Sequence, residues 1–167
     1  MEAVRVERLD HLGLIASMIN DLGLVSMINA RLKPDDQEVI TPGEAVKGMI
    51  LNGLGFANRP LSLTPQFFAG KPLDLLFRPG VKADMFNRFK LGRTLDEVNT
   101  YGCDLLFSEI ARAVCRQEAI DQRFNHLDTT SFSLTGDYAP ESDQQATTLT
   151  QGSTKEPPPL SKAAVFE

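Results

Sequence analysis

Few residues in this chain have the type and spacing that chemistry requires, and the clearest lie around Asp128. This carboxylate is followed by hydroxyl side chains, and His126 lies two residues earlier, on the same face of an extended segment. Magnesium is held by several oxygen ligands, so Asp128 alone does not make a metal site. Asp128 is therefore either a metal ligand or a strand-end acid, and His126 either a ligand or a hydrogen-bonded structural histidine. The residues by themselves favour the structural interpretation for both.

A second group of residues has the chemistry of phosphate binding. Residues 59–93 are rich in lysine and arginine and poor in acids, although the formal net charge of the chain is −5. Such bases neutralise phosphates and give a salt-dependent affinity for nucleic acid. The alternative is a solvated basic face, with the interleaved Phe86 and Phe89 in the core. The bases that we predict to contact DNA are Arg78, Lys82, Arg88, Lys90 and Arg93.

A predicted helix start adds to this basic segment. Thr94 is followed three residues later by Glu97, the spacing of a capping box, which predicts a helix from Leu95 to about Arg116. Backbone N–H groups at a helix start bind phosphate. With Gly92 just before it, this start is expected to be an accessible phosphate site.

The elements that must position these residues are helical up to residue 117. Apolar residues recur at intervals of three and four over 12–32, which predicts two helices. The clearest helix start is Thr41-Pro42 with Glu44, which combines an N-cap, a proline at the first position and a capping box. Shorter helices are predicted within 64–77, and Gly102 is expected to bend the last helix.

The composition is typical of a globular protein, with 42% hydrophobic and 23% charged residues. No apolar run approaches the roughly 18 residues that a membrane helix needs, and no signal peptide is recognised. Cys103 and Cys115 fall in one predicted helix, roughly 18 Å apart at about 1.5 Å rise per residue, which is beyond disulfide reach. We therefore expect a cytoplasmic protein without membrane contact, in which both cysteines are free and are small core residues.

The sequence pattern changes after residue 117. Residues 124–136 alternate with many Thr and Ser, which predicts a β-strand that cannot bury itself alone. The polar stretch that follows contains Pro157-Pro158-Pro159 and predicts a mostly disordered tail. The predicted fold class is mainly α. The predicted domains are a helical domain over 1–117, the start of an incomplete β-containing domain over 118–138, and a disordered tail over 139–167.

Several blocks of sequence, taken together, resemble a known family. They are Thr41–Lys47, Asn52–Phe56, Arg59–Leu61, Phe67–Phe68, Gly80 and Leu91–Asp96. In this order they resemble an N-terminal domain of unknown function that leads many bacterial insertion-sequence transposases. The segment Leu127–Gly136 resembles the first strand of the catalytic domain of those transposases.

The resemblance implies a DNA transposase with a ribonuclease-H-like catalytic domain. Such domains hold two Mg²⁺ ions with an Asp-Asp-Glu triad, and the first Asp matches Asp128 as catalytic residue and metal ligand. The other two carboxylates have no match in this chain, and residues 152–159 depart from the family pattern. We therefore expect a truncated transposase that recognises DNA at the element ends. Alone, it is expected to bind no Mg²⁺ and to catalyse nothing.

The alternative hypothesis is a protein–protein assembly module. In this hypothesis the helices over 41–56 and 94–116 form a dimer surface, through which the chain pairs with itself or inhibits the full-length transposase. Salt-dependent DNA binding distinguishes the two hypotheses. The missing carboxylates argue against a third, an active nuclease.

Overall fold

The computed structural model describes residues 7, 9–35, 37–55 and 60–121, together with the backbone of 132–133, 150–151 and 163–165. The chain divides into two compact units, Met1–Gln122 and Arg123–Glu167. The described part of the first unit consists of helices and their connections, which confirms the prediction of a mainly α fold.

The described residues of the first unit form seven α-helices and two short 3-10 turns. The 3-10 turns are Leu61–Leu63 and Ala83–Phe86, before α4 and α6 respectively. The helices are α1 (Leu12–Asp21), α2 (Leu24–Leu32), α3 (Pro42–Gly53), α4 (Thr64–Phe68), α5 (Leu73–Leu76), α6 (Arg88–Tyr101) and α7 (Cys103–Gln117). Gly102, with a φ of 105°, separates α6 from α7, so the predicted bend is a break at a residue free to adopt this backbone.

The start of α3 has the predicted capping box. The Thr41 hydroxyl accepts from the Glu44 N–H at 3.2 Å, and the Glu44 carboxylate accepts from the Thr41 N–H at 2.9 Å. Helix α3 packs against α1, α2, α4 and α6, so most of its surface is buried. Its Gly43 lies against the Val25 carbonyl of α2, where a side chain would not fit. This helix is the centre of the first unit.

Phenylalanines form the middle of the core in a chain that has no tryptophan. The Phe68 ring lies 5.0 Å from Phe67 and 4.9 Å from Phe86, centroid to centroid. The Phe77 ring lies 4.8 Å from Phe86 and 5.6 Å from Phe68, so these three rings are in mutual contact. Aliphatic residues complete the buried cluster: Leu12, Ala16, Ile40, Ala45, Leu51, Leu73, Leu76, Val81 and Leu91.

The predicted helix start at Thr94 is wrong. Helix α6 begins at Arg88, where the Asn87 side chain accepts from the N–H groups of Phe89 and Lys90, both at 3.1 Å. Thr94 lies inside the helix, fully buried, and its hydroxyl has no hydrogen-bond partner. An amide cap earlier in the chain, followed by a buried stripe through Leu91, takes precedence over the local capping-box pattern.

The second unit is described only at three short strands. These are β1 (Phe132–Ser133), β2 (Thr150–Gln151) and β3 (Ala163–Val165). They form an antiparallel sheet in the order β1-β3-β2, with Phe132 opposite Ala164 and Thr150 opposite Val165. Most of the predicted strand over 124–136, including His126 and Asp128, lies outside the described residues. The ribonuclease-H-like domain and the disordered tail therefore stay predictions.

Two predictions about the environment of the chain can be compared with the described helices. Cys103 and Cys115 lie near opposite ends of α7 and are free thiols, as predicted, but the prediction of core positions is wrong for Cys103, which is exposed. Among the described residues, no single helix has the length and apolar character needed to cross a membrane. The bent pair α1 and α2 meets these criteria only when its two helices are taken together.

Candidate nucleic-acid interface

The five predicted DNA-binding residues fall into two groups in the structure. Arg78 and Lys90 are bound to carboxylates of the same unit. Lys82, Arg88 and Arg93 are exposed, and none of the three forms an ion pair with another described residue.

Arg78 holds the capping box of α3 in place. Its Nε donates to Glu44 Oε1 at 2.6 Å, and its Nη2 donates to the Val39 carbonyl at 2.8 Å. Glu44 is buried, so its carboxylate needs a charged partner to offset the loss of hydration. The role that the structure gives to Arg78 is therefore to stabilise the start of α3.

Lys90 is buried in the first turn of α6, with only 5% of the residue exposed. Its Nζ lies 2.7 Å from Glu38 Oε1, in the loop before α3. The other oxygen of Glu38 is buried and has no hydrogen-bond partner, so this carboxylate depends on Lys90. In this fold Lys90 does not reach a phosphate on the surface.

The exposed cations lie at the start of α6 and just before it. Arg88 is the first residue of the helix, Arg93 lies in the second turn, and Lys82 precedes the 3-10 turn that leads into it. There is no acidic residue in the first turn of α6. A helix start carries a partial positive charge, so added cations are unfavourable there unless an anion binds.

The two phenylalanines of the basic segment have opposite environments. Phe86 is fully buried in the aromatic core, as expected if the basic segment is a solvated face with its phenylalanines in the core. Phe89 is 67% exposed, and the Arg88 guanidinium lies 4.7 Å from the centroid of its ring. The signal that could have separated them is helical periodicity counted from an Asn87 cap, because Phe89 then falls opposite the buried stripe.

A polar cavity of about 560 Å³ adjoins the start of α6. Its lining includes Asn87, Lys90 and Arg93 on the α6 side, and Glu38 and Asp84. Because acids and bases alternate around it, the cavity does not favour an anion. A phosphate is better placed on the exposed side of α6, at Arg88 and Arg93.

Another charged cluster, which the sequence did not reveal, joins α2, α6 and α7. The carboxylate of Glu109 accepts from Arg31 Nε at 2.8 Å and from the Tyr101 hydroxyl at 3.0 Å. These two hydrogen bonds hold the pKa of Glu109 below its usual value, and the bond from Arg31 has the larger effect. The charges satisfy one another, so this cluster stabilises the helix packing and does not form a binding site.

Lys47 is a buried cation in the middle of α3 that periodicity also missed. Its Nζ donates to Asn20 Oδ1 at 2.7 Å and lies 5.2 Å from the centroid of the Phe77 ring. Burial lowers the pKa of Lys47, and the nearby Glu44 carboxylate opposes this shift. Lys47 is inaccessible to a nucleic acid.

The described residues hold no group of three or more His, Cys, Asp or Glu side chains arranged to bind a metal ion. Asp128, predicted as the first triad carboxylate and a Mg²⁺ ligand, lies outside them and is not tested. His11, just before α1, has its Nε2 2.8 Å from the Leu54 carbonyl oxygen.

The fold and the site together define a helical domain with an exposed basic helix start. A family described as "Domain of unknown function (DUF4277)" matches residues 4–112, well over half of the chain. The chain therefore belongs to this family. The matched region contains the whole of α6 and the exposed cations Lys82, Arg88 and Arg93. No curated protein matches the chain, and no solved structure matches it either.

Proposed function

We propose that this chain is part of an insertion-sequence transposase and that its helical domain binds DNA at the element ends. The observation that carries the proposal is the group of exposed cations Lys82, Arg88 and Arg93. The sequence blocks that resemble transposase N-terminal domains support it, and they include the α6 segment Leu91–Asp96.

The energetics of α6 favour a bound anion at its start. Each cation near a helix N-terminus opposes the helix dipole by roughly 0.3–1 kcal/mol, so the free protein gains nothing from this arrangement. A DNA phosphate bound there reverses the sign, because it attracts the cations, while the N–H groups of Phe89 and Lys90 stay bonded to Asn87. Three phosphate contacts predict a roughly 40-fold loss of affinity between about 50 and 200 mM salt.

The proposal assigns no chemistry to this chain alone. Strand transfer in such transposases needs two metal ions held by a complete set of carboxylates. Asp128 is the one member of the Asp-Asp-Glu triad that the resemblance finds in the sequence. Mg²⁺ belongs to the intact catalytic domain in this proposal, and recognition of the DNA ends belongs to the helical domain.

A pair of double variants tests the assignment to α6. Titration of the full chain against a labelled duplex is expected to give roughly tenfold or greater weakening for Arg88→Ala with Arg93→Ala, because two phosphate contacts are lost. The matched control is Arg112→Ala with Arg116→Ala, two exposed arginines of α7. Equal loss in both double variants would show general charge attraction and contradict the assignment.

Arg78 and Lys90 are left unchanged in these variants. Removing either base takes the charged partner from a carboxylate that is buried (Glu44) or part-buried (Glu38), so the fold itself is expected to be destabilised. Loss of DNA binding would then not be separable from loss of the fold. A circular dichroism melt of each double variant checks that the domain is intact.

A second candidate function is protein–protein assembly, with the chain itself or a full-length transposase as partner. The observation that favours it is on α7, where the Phe107 ring is 73% exposed. Helix α3, the other helix expected to form a dimer surface, is buried within its own unit and does not serve that role. Sedimentation of wild type and Phe107→Ser tests this candidate: a monomer at all concentrations contradicts self-assembly.

A further inference from the structure

Phe89 departs from the pattern of the other described phenylalanines near it. Phe67, Phe68 and Phe86 are each at most 7% exposed, whereas Phe89 is 67% exposed. It contributes nothing to the core cluster, and its ring is in contact with the Arg88 guanidinium at 4.7 Å from the centroid. A large exposed aromatic beside a cation at a helix start calls for a ligand that uses both.

The surroundings of Phe89 are polar and charged. Arg93 follows four residues later and therefore lies one turn along on the same face of α6. Gly92 and Asp96 occupy the rest of that face by the same periodicity. On α6 itself, Phe89 is therefore the one aromatic ring on a face that it shares with Gly92, Arg93 and Asp96, and this face of the helix is not a continuous apolar stripe.

Nucleobases are ligands that fit such a ring. Proteins that bind unpaired nucleotides combine cations for the backbone with aromatic side chains on which bases stack. Proteins that distort duplexes insert a phenylalanine between base steps. A fully paired and stacked duplex offers no free base face, so the DNA must contain an unpaired or unstacked base to engage Phe89.

We infer that Phe89 is a base-stacking residue that gives this domain a preference for DNA with an unpaired or unstacked base, while Arg88 and Arg93 contact the flanking phosphates. This inference rests on the proposed DNA binding. It adds a specificity that the cations alone do not provide, because phosphate contacts carry no information about base pairing.

The experiment uses the full chain and two DNA probes, a short paired duplex and the same duplex with one bulged 2-aminopurine. Wild type is expected to bind the bulged probe roughly tenfold more tightly and to quench its fluorescence by stacking. Phe89→Ala is expected to bind both probes equally, without quenching. Phe89→Trp is expected to restore the preference. The control is Leu75→Ala, an exposed apolar residue of α5 that neither proposal uses, which is expected to behave as wild type.

The outcomes separate the two proposals. If Phe89→Ala keeps the preference for the bulged probe, the stacking role is overturned. The proposed function still stands in that case, provided that wild type binds both probes in a salt-dependent way. Absence of binding of wild type to either probe overturns both. Because Phe89 is exposed, its replacement is not expected to unfold the domain, and a melting curve for each variant verifies this.

Discussion

At the scale of single residues, the partner decides what each base does. Arg78 and Lys90 belong to the same basic segment as Arg88 and Arg93, yet the first two are paired with carboxylates, whereas the last two are exposed and form no ion pair with a described residue. The sequence could not separate them, because the partners Glu44 and Glu38 lie 34 and 52 residues away along the chain. The Thr41 capping box was predictable because its two members are three residues apart.

The cap of α6 gives the first prediction. Asn87→Ala is expected to lower the free energy of unfolding by about 1 kcal/mol, because two backbone N–H groups lose their acceptor. Thr94→Val is expected to leave it unchanged or raise it, because the buried Thr94 hydroxyl has no partner to lose. Urea unfolding of both variants measures this. If Thr94→Val lowered the free energy of unfolding and Asn87→Ala did not, the helix would begin at Thr94 and not at Arg88.

The buried amine of Lys47 predicts a pH dependence. Burial lowers its pKa in the folded protein from the usual 10.5, so the unfolded chain binds more protons between the lowered value and 10.5. Stability therefore rises with pH across that window. The free energy of unfolding of wild type relative to Lys47→Met is expected to increase as the pH is raised towards 10.5.

The control for this prediction is Leu75→Met, which changes an exposed side chain of α5 and removes no titratable group. Its difference from wild type is expected to stay constant over the same pH range. Urea unfolding at several pH values gives both differences. A Lys47 difference that is flat, or that falls with pH, would contradict the buried environment described for this amine.

At the scale of elements, local capping patterns predicted a helix start correctly where the sequence offers one candidate cap, and wrongly where it offers two. Helix α3 begins where the sequence predicts, since Thr41, Pro42 and Glu44 all mark the same start. Helix α6 has two candidate caps, Asn87 and Thr94, and the choice depends on which face packs against the rest of the unit. That packing is a tertiary effect, and it also decides why Phe86 is buried and Phe89 is exposed.

Two glycine substitutions test this packing in opposite directions. In Gly43→Ala the new Cβ would lie 2.4 Å from the Val25 carbonyl oxygen, so a destabilisation of roughly 1–3 kcal/mol is expected despite the gain in helix propensity. Gly92→Ala meets no atom within 4 Å and lies inside α6, so a stabilisation of roughly 0.5–1 kcal/mol is expected. Thermal and urea unfolding measure both.

These two results have separate meanings. A neutral Gly43→Ala would show that α2 and α3 do not approach as closely as the structure has them. A neutral or destabilising Gly92→Ala would show that residue 92 is outside the helix, as the sequence alone had predicted.

At the scale of the whole molecule, the net charge does not describe the charge of each surface region. The chain is acidic overall, with a formal net charge of −5, yet three exposed cations collect at and before the start of α6. Composition and periodicity were enough to predict a helical unit, because they depend on repeated local patterns. They could not predict which cations remain exposed, because exposure depends on the packing of distant segments.

The measurement that tests the central claim most directly is a titration of the full chain against two duplexes, at about 50 and 200 mM salt. One duplex carries the inverted repeats that flank the gene, and the other has the same composition in scrambled order. The account predicts tighter binding to the repeats, with a roughly 40-fold loss of affinity at the higher salt, as three phosphate contacts require. No binding to either duplex at low salt would contradict the account and leave assembly through α7 as the function to test.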